Sequence, residues 1–117
     1  MAAPVLDPVV LDQLRKLTPP GEPDVLAEIL ATFVDDVPRR IEGLRAALAA
    51  GDAVALQRAA HSLKGSSGNI GARALYETSR QLDELGKAGD LAAAVPVVEA
   101  LTAEYAKVEA EIRRLLG

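Results

Sequence analysis

His61 is the only histidine in this chain of 117 residues, and its neighbours suggest a use for its ring. Lys64 and Gly65 follow three and four residues later, so on a helix both would lie one turn from the imidazole. A lysine at that position can place a positive charge beside a phosphate group. A glycine inside a helix costs about 1 kcal/mol relative to alanine, and its missing side chain would let a bulky partner reach the ring. The spacing favours a reactive histidine, although a lone histidine is more often a surface residue or a hydrogen-bonded core residue.

Helical phase predicts which way His61 faces. At about 100° per residue, the core side of its helix lies between about 140° and 220° from the histidine. The residues on that side are small or apolar: Leu56, Ala59, Leu63, Ser66 and Ile70. The residues within about 60° of the histidine are polar, cationic or glycine: Gln57, Arg58, Lys64, Gly65 and Gly68. The imidazole is therefore expected on the solvent side, although fraying near the helix end is an alternative explanation for Gly68.

The charge around His61 differs from that of the whole chain. The segment from Ala53 to Tyr76 contains Arg58, Lys64 and Arg73 and no acid, whereas the formal net charge of the chain is −4. A locally positive face could attract an acidic partner or a phosphoryl donor, and a solvated helix face is the alternative. The negative net charge of the chain and its pI near 5.0 argue against a general nucleic-acid binder.

Composition indicates one helical domain. Half of the residues are apolar but only 3% are aromatic, which suits closely packed helices better than a sheet. The absence of cysteine excludes disulfides and thiolate metal sites. The first residues, MAAPVLDPVV, lack the pattern of a signal peptide, and no apolar run reaches the roughly 18 residues of a membrane span. We therefore expect a cytoplasmic protein without a membrane partner, and Met1 with a helix cap of its own slightly favours a stand-alone protein over an excised domain.

Five helices must position these residues. Each is bounded by turn and capping signals, and the predicted segments are about Asp7–Leu17, Pro23–Ala50, Asp52–Asn69, Ala72–Lys87 and the stretch after Gly89-Asp90. Pro38 in the second helix and Pro96 in the last are expected to bend these helices without dividing them. Apolar residues three or four apart form one stripe on each long helix. The predicted fold is all-α: an antiparallel four-helix bundle with a short additional N-terminal helix, forming one domain over residues 1–117 with its bundle core at about 23–116.

The run from Ala60 to Gly71, AHSLKGSSGNIG, resembles the signature of histidine-containing phosphotransfer (HPt) domains, an AHxLKG core followed by small residues and a glycine turn. The flanking LRAALAAGDAVALQRA and ARALYETSRQLDEL are also similar to that family. The resemblance extends from about Leu26 to Leu115. It implies a phosphorelay intermediate, which takes a phosphoryl group from an aspartyl phosphate on a response-regulator receiver domain and passes it to another receiver. An upstream hybrid histidine kinase would supply the phosphoryl group to this relay.

The resemblance also assigns roles to particular residues. It implies that His61 accepts the phosphoryl group through Nε2, that Lys64 stabilises that group, and that Gly65 gives the receiver room. Helical phase, rather than the resemblance, adds Arg58 and Gly68 as supporting residues on the same face, one as a cation and one as a position without a side chain. Asp83, on the next helix, occupies a position where relatives place a polar residue that can contact the imidazole. Asp83 would accept a hydrogen bond from the Nδ1 proton and so fix the tautomer of the ring. The alternative is that Asp83 is a solvated helix carboxylate.

The chain carries no glycine-rich phosphate loop and no carboxylate cluster spaced for Mg²⁺. We therefore expect a phosphocarrier rather than an enzyme, with no cofactor or metal of its own, with Mg²⁺ on the partner receiver, and with a monomeric state. A kinase-like dimeric core is disfavoured because no ATP-binding half is present and SLKGSS is not the acidic-Arg-Thr-Pro pattern of kinase dimerisation helices. A helical adaptor that binds signalling partners without chemistry is the remaining alternative.

Overall fold

Five α-helices follow one another along residues 4–117, the part of the chain that the computed structural model describes. Their bounds are α1 (Pro8–Arg15), α2 (Val25–Ala50), α3 (Ala53–Asn69), α4 (Arg73–Ala88) and α5 (Leu91–Leu116). No strand occurs within that range, so the predicted all-α class is confirmed.

Aspartate side chains begin four of the helices. Asp7, Asp24, Asp52 and Asp90 each accept a hydrogen bond from a backbone N–H in the first turn of the helix that follows. Such a cap replaces one of the hydrogen bonds that a helix N-terminus lacks and contributes about 1 kcal/mol. These caps determine where each of these four helices begins along the chain.

Short connections make consecutive helices antiparallel. Gly51 and Gly89 end α2 and α4 with φ angles of 66° and 73°, a left-handed conformation that glycine adopts without a steric penalty. α2 packs on α3 and α5, and α4 also packs on α3 and α5, which closes the four-helix bundle, while α1 packs on α2. The predicted bundle with a short N-terminal helix is confirmed.

α1 is attached to the connection between α3 and α4. The backbone N–H of Asp7 donates to the carbonyl of Gly71 at 2.9 Å, and the side chain of Asp7 pairs with Arg73. Gly71 has a φ of 72°, and a Cβ there would lie 2.8 Å from the Cβ of Asp7. The connection at the end of α3 therefore requires glycine.

Two helix ends differ from the predicted ones by two residues, and the other differences are of one residue. α1 ends at Arg15 rather than near Leu17, because the N–H of Leu17 bonds to a carbonyl only three residues back and tightens the last turn. α2 begins at Val25 rather than at Pro23, because Asp24 is its N-cap. Both differences concern the ends of helices, where local hydrogen bonds decide the outcome.

The two internal prolines leave their helices undivided, as predicted. Pro38 lies within α2 and Pro96 within α5, and both are exposed. Pro38 leaves the carbonyl of Val34 without an intrahelical partner, and this carbonyl accepts a hydrogen bond from the hydroxyl of Tyr105 on α5 at 3.3 Å. Pro96 has the same effect on the carbonyl of Ala92, an exposed residue, so water can bond there.

The bundle core contains buried side chains from every helix, among them Leu11, Leu30, Leu63, Leu82 and Leu101. Full burial of such a side chain contributes about 1.5–3 kcal/mol. None of the helices within residues 4–117 combines the length and the apolar character that crossing a membrane requires.

The buried face of α3 is rotated relative to the predicted one. Leu56, Leu63 and Ile70 are buried as expected, but Ala59 and Ser66 are only half-buried. Their places in the core are taken by the next residues along the chain, Ala60 and Ser67, which are fully buried. α4 packs on the adjacent side of α3, where Gly86 lies against Gln57, and the buried face extends toward that side.

Candidate functional site

His61 lies in the middle of α3 with 63% of its side chain exposed. The buried apolar residues of α3 lie on the side of the helix opposite to His61 and pack into the bundle. The predicted exposure of the imidazole is therefore confirmed. A ring in this position is accessible to a protein partner that approaches the long side of the bundle.

A buried carboxylate on α4 lies beside the ring. Asp83 is only 2% exposed, and its Oδ2 atom lies 3.3 Å from Nδ1 of His61 and 3.2 Å from Nζ of Lys64. Its Oδ1 atom accepts a hydrogen bond from Nε2 of Gln57 at 2.6 Å. Nζ of Lys87, one turn further along α4, lies 3.8 Å from Oδ2. The alternative of a solvated helix carboxylate for Asp83 is therefore wrong.

The charge of Asp83 is stabilised by the groups around it. A buried carboxylate loses its hydration, which is costly unless donors replace the water. Burial by itself raises the pKa of Asp83, but hydrogen bonds from Gln57, His61 and Lys64 and the positive charge of Lys87 outweigh that effect. Together they lower the pKa from 3.8 to about 2. Asp83 is therefore ionised at neutral pH and presents a negative charge to Nδ1.

The low pKa of Asp83 makes the stability of the fold depend on pH. Because the folded pKa of about 2 lies below the unfolded value of 3.8, the ionised carboxylate stabilises the fold above pH 3.8. This contribution, about 2 kcal/mol, should be lost as the pH falls from 3.8 to about 2. Urea unfolding at a series of pH values should show a smaller acid destabilisation in Asp83→Asn than in the wild type. Equal pH dependence in the two proteins would contradict the pairing.

The other predicted site residues, Arg58, Gly65 and Gly68, lie on the same face of α3 as His61 but differ in what surrounds them. A Cβ on Gly65 would meet no atom within 4 Å, so the space beside His61 is open there. A Cβ on Gly68 would lie 3.4 Å from the ring of Tyr76, an ordinary contact. Arg58 is exposed and is not among the residues that contact Asp83. Lys64 and Asp83 thus join His61 in one cluster, while Arg58, Gly65 and Gly68 shape the surface around it.

Two residues of the cluster had no predicted role. Gln57 precedes His61 by one turn of α3, and Lys87 follows Asp83 by one turn of α4. A spacing of four residues places them beside the predicted site residues, so a search for helical neighbours would have found both. Within residues 4–117, no group of three aspartate, glutamate or histidine side chains is arranged to hold a metal ion.

Comparisons with known proteins agree on one family. The family model of the Hpt domain matches residues 28–111. The crystal structure of histidine-containing phosphotransfer protein B (HptB) from Pseudomonas aeruginosa PAO1 matches with a TM-score of 0.90 and 37% sequence identity, covering 98% of this chain and 96% of that one.

Two plant proteins are also similar in sequence. Histidine-containing phosphotransfer protein 5 of Arabidopsis thaliana is 39% identical over 64 residues, which are 52% of this chain and 41% of that protein. Histidine-containing phosphotransfer protein 2 of the same plant is 26% identical over 108 residues, which are 90% of this chain and 69% of that protein. The first match thus spans less than half of the plant protein's length.

Proposed function

This chain belongs to the Hpt domain family, and from that membership we propose that it carries a phosphoryl group on His61 between the receiver domains of a phosphorelay. The observation that supports the assignment to His61 is the exposed imidazole whose Nδ1 lies against a buried carboxylate. Because ionised Asp83 can only accept a hydrogen bond, the neutral ring keeps its proton on Nδ1. Nε2 then carries the lone pair that attacks phosphorus.

The proton on Nδ1 can stay in place throughout the transfer. When Nε2 attacks the phosphorus of a receiver aspartyl phosphate, the new N–P bond forms, the P–O bond breaks and the receiver carboxylate leaves. The ring becomes a phosphorylated imidazolium, and the negative charge of Asp83 at 3.3 Å stabilises it. In the onward step a second receiver aspartate attacks phosphorus and neutral imidazole leaves. Because the pKa of Asp83 is about 2, the carboxylate stabilises the cation without taking its proton.

Lys64 supplies a cation next to the reacting nitrogen. Its Nζ atom is held by Asp83 at 3.2 Å, and a quarter of its side chain is exposed. We propose that the ammonium group contacts the phosphoryl oxygens while the phosphoryl group is on His61. The remaining stabilisation of the transferring group, including Mg²⁺, is proposed to come from the receiver, so the chain acts as a phosphocarrier rather than as a kinase.

The open space at Gly65 supports docking of a receiver over His61. Replacing Gly65 with glutamine should leave the fold intact, because no atom lies within 4 Å of the added Cβ. The longer side chain should obstruct the receiver and slow transfer by about tenfold or more. Gly43→Gln is a matched control, since Gly43 is also helical and open but lies on α2. Equal transfer rates for the two variants, measured with the same phosphorylated receiver, would argue against docking over Gly65.

The partners that we propose are response-regulator receiver domains and an upstream hybrid histidine kinase, with the chain acting as a monomer in the cytoplasm. Incubation with a receiver that is phosphorylated on aspartate tests the central step. Appearance of an acid-labile, base-stable phosphoryl group on the chain supports the phosphocarrier. If the chain binds several phosphorylated receivers but takes a phosphoryl group from none of them, the result would favour the adaptor.

A further inference from the structure

We propose that Gln57 is a positioning residue whose side-chain amide orients the carboxylate of Asp83 toward His61. This inference deepens the proposed function and rests on it for its consequence in transfer. Gln57 lies on α3 one turn before His61 and is half-buried at the interface with α4. It contacts the carboxylate and not the imidazole, so it would act on the ring through Asp83.

The contacts divide the two oxygen atoms of Asp83 between different donors. Oδ1 accepts from Nε2 of Gln57 at 2.6 Å, the shortest contact that the carboxylate makes in the described part of the chain. Oδ2 faces Nδ1 of His61 at 3.3 Å and Nζ of Lys64 at 3.2 Å. The terminal torsion of an aspartate is broad, so burial alone does not determine the plane of the carboxylate. A strong donor on Oδ1 determines that plane and leaves Oδ2 for the ring.

The competing cations explain why such a donor is needed. Lys64 and Lys87 both lie near Oδ2, and each has a long, flexible side chain with a mobile ammonium group. Without Gln57, either ammonium could turn the carboxylate away from the imidazole by binding both oxygens. The amide has a neutral donor with a fixed direction, so it holds the carboxylate without competing for the ring.

A close approach of the two helices makes the contact possible. Gly86 follows Asp83 by three residues on α4, and a Cβ built on it would lie 2.7 Å from Cβ and 2.8 Å from Cα of Gln57. The backbones can be this close only because Gly86 has no side chain. This approach lets a side chain as short as aspartate reach from α4 to the imidazole on α3.

Two substitutions at Gln57 separate positioning from packing. Gln57→Leu keeps most of the bulk and removes the donor, and Gln57→Met removes the donor while also keeping the unbranched shape of glutamine. Gln81→Leu is the matched control, because Gln81 is exposed on α4. We measure the tautomer of His61 by ¹⁵N NMR on the unphosphorylated chain in mildly basic solution, the transfer rate from a phosphorylated receiver, and the fold by circular dichroism.

We expect both Gln57→Leu and Gln57→Met to populate the Nε2–H tautomer and to slow transfer by about tenfold, while Gln81→Leu resembles the wild type. Wild-type tautomer and transfer in a folded Gln57→Leu would overturn the proposal. If Gln57→Leu does not fold, the same tautomer measurement on Gln57→Met decides, and a wild-type Nδ1–H tautomer in that variant would overturn the proposal. The tautomer is read without any receiver, so this result is independent of whether the chain carries phosphate.

Discussion

Replacing His61 with glutamine is expected to abolish phosphoryl transfer while leaving the bundle folded. Glutamine has no ring nitrogen with a free lone pair, so the N–P bond cannot form, and the rate should fall by about a thousandfold or more. The side chain of His61 is 63% exposed, so its removal opens no cavity. The free energy of unfolding should therefore change by no more than about 0.5–1 kcal/mol.

Transfer of labelled phosphate from a receiver aspartate measures this effect. The labelled product of the wild type should be stable in base and labile in acid, as expected for a phosphoramidate, and His61→Gln should carry no label. Circular dichroism and urea unfolding of the same preparations provide the control for folding. Label that persists in the folded variant would place the phosphoryl group elsewhere and refute the assignment of His61.

Replacing Gly86 with alanine is expected to destabilise the bundle, although alanine favours helices. Helix propensity alone would stabilise the variant by about 1 kcal/mol. The added Cβ, however, would lie 2.7 Å from Cβ, 2.8 Å from Cα and 2.9 Å from the backbone nitrogen of Gln57. Two of these atoms belong to the backbone of α3, which cannot rotate away, so α3 and α4 must separate. Overpacking of this kind costs about 1–3 kcal/mol, and we expect a net loss of stability.

Gly43→Ala is the matched control for this prediction. Gly43 lies inside α2, and a Cβ there would meet no atom within 4 Å. The control should therefore gain up to about 1 kcal/mol from helix propensity, so the two variants should change stability in opposite directions. Urea unfolding measures both. Equal stabilisation of the two variants would show that α3 and α4 are not in close contact at Gly86.

The separation of helices in Gly86→Ala should also weaken the contact between Asp83 and the imidazole. This consequence connects the stability of the α3–α4 interface to the chemistry of His61. It also explains how aspartate can serve at this position, since its short side chain reaches Nδ1 only because the two backbones approach closely.

The sequence by itself determined the helices and the exposure of the histidine. Aspartate caps and glycine ends are signals that act within one turn of the chain, so the helix bounds were predicted to within about two residues. The phase of α3 depends only on the helical repeat, and it correctly placed His61 on the solvent side with Lys64 and Gly65 beside it. The AHSLKGSSGNIG run was enough to indicate the family.

Only the tertiary structure decided the surroundings of the imidazole. The sequence alone left open whether Asp83 is buried or solvated. Three of the groups that stabilise its charge lie on another helix, 19–26 residues away along the chain. The rotation of the core face toward Ala60 and Ser67 also depends on where α4 lies. Local signals specify a helix and its phase, but the register and distance between two helices depend on side chains of both. Here the absence of one Cβ, at Gly86, sets that distance and brings the carboxylate to the ring.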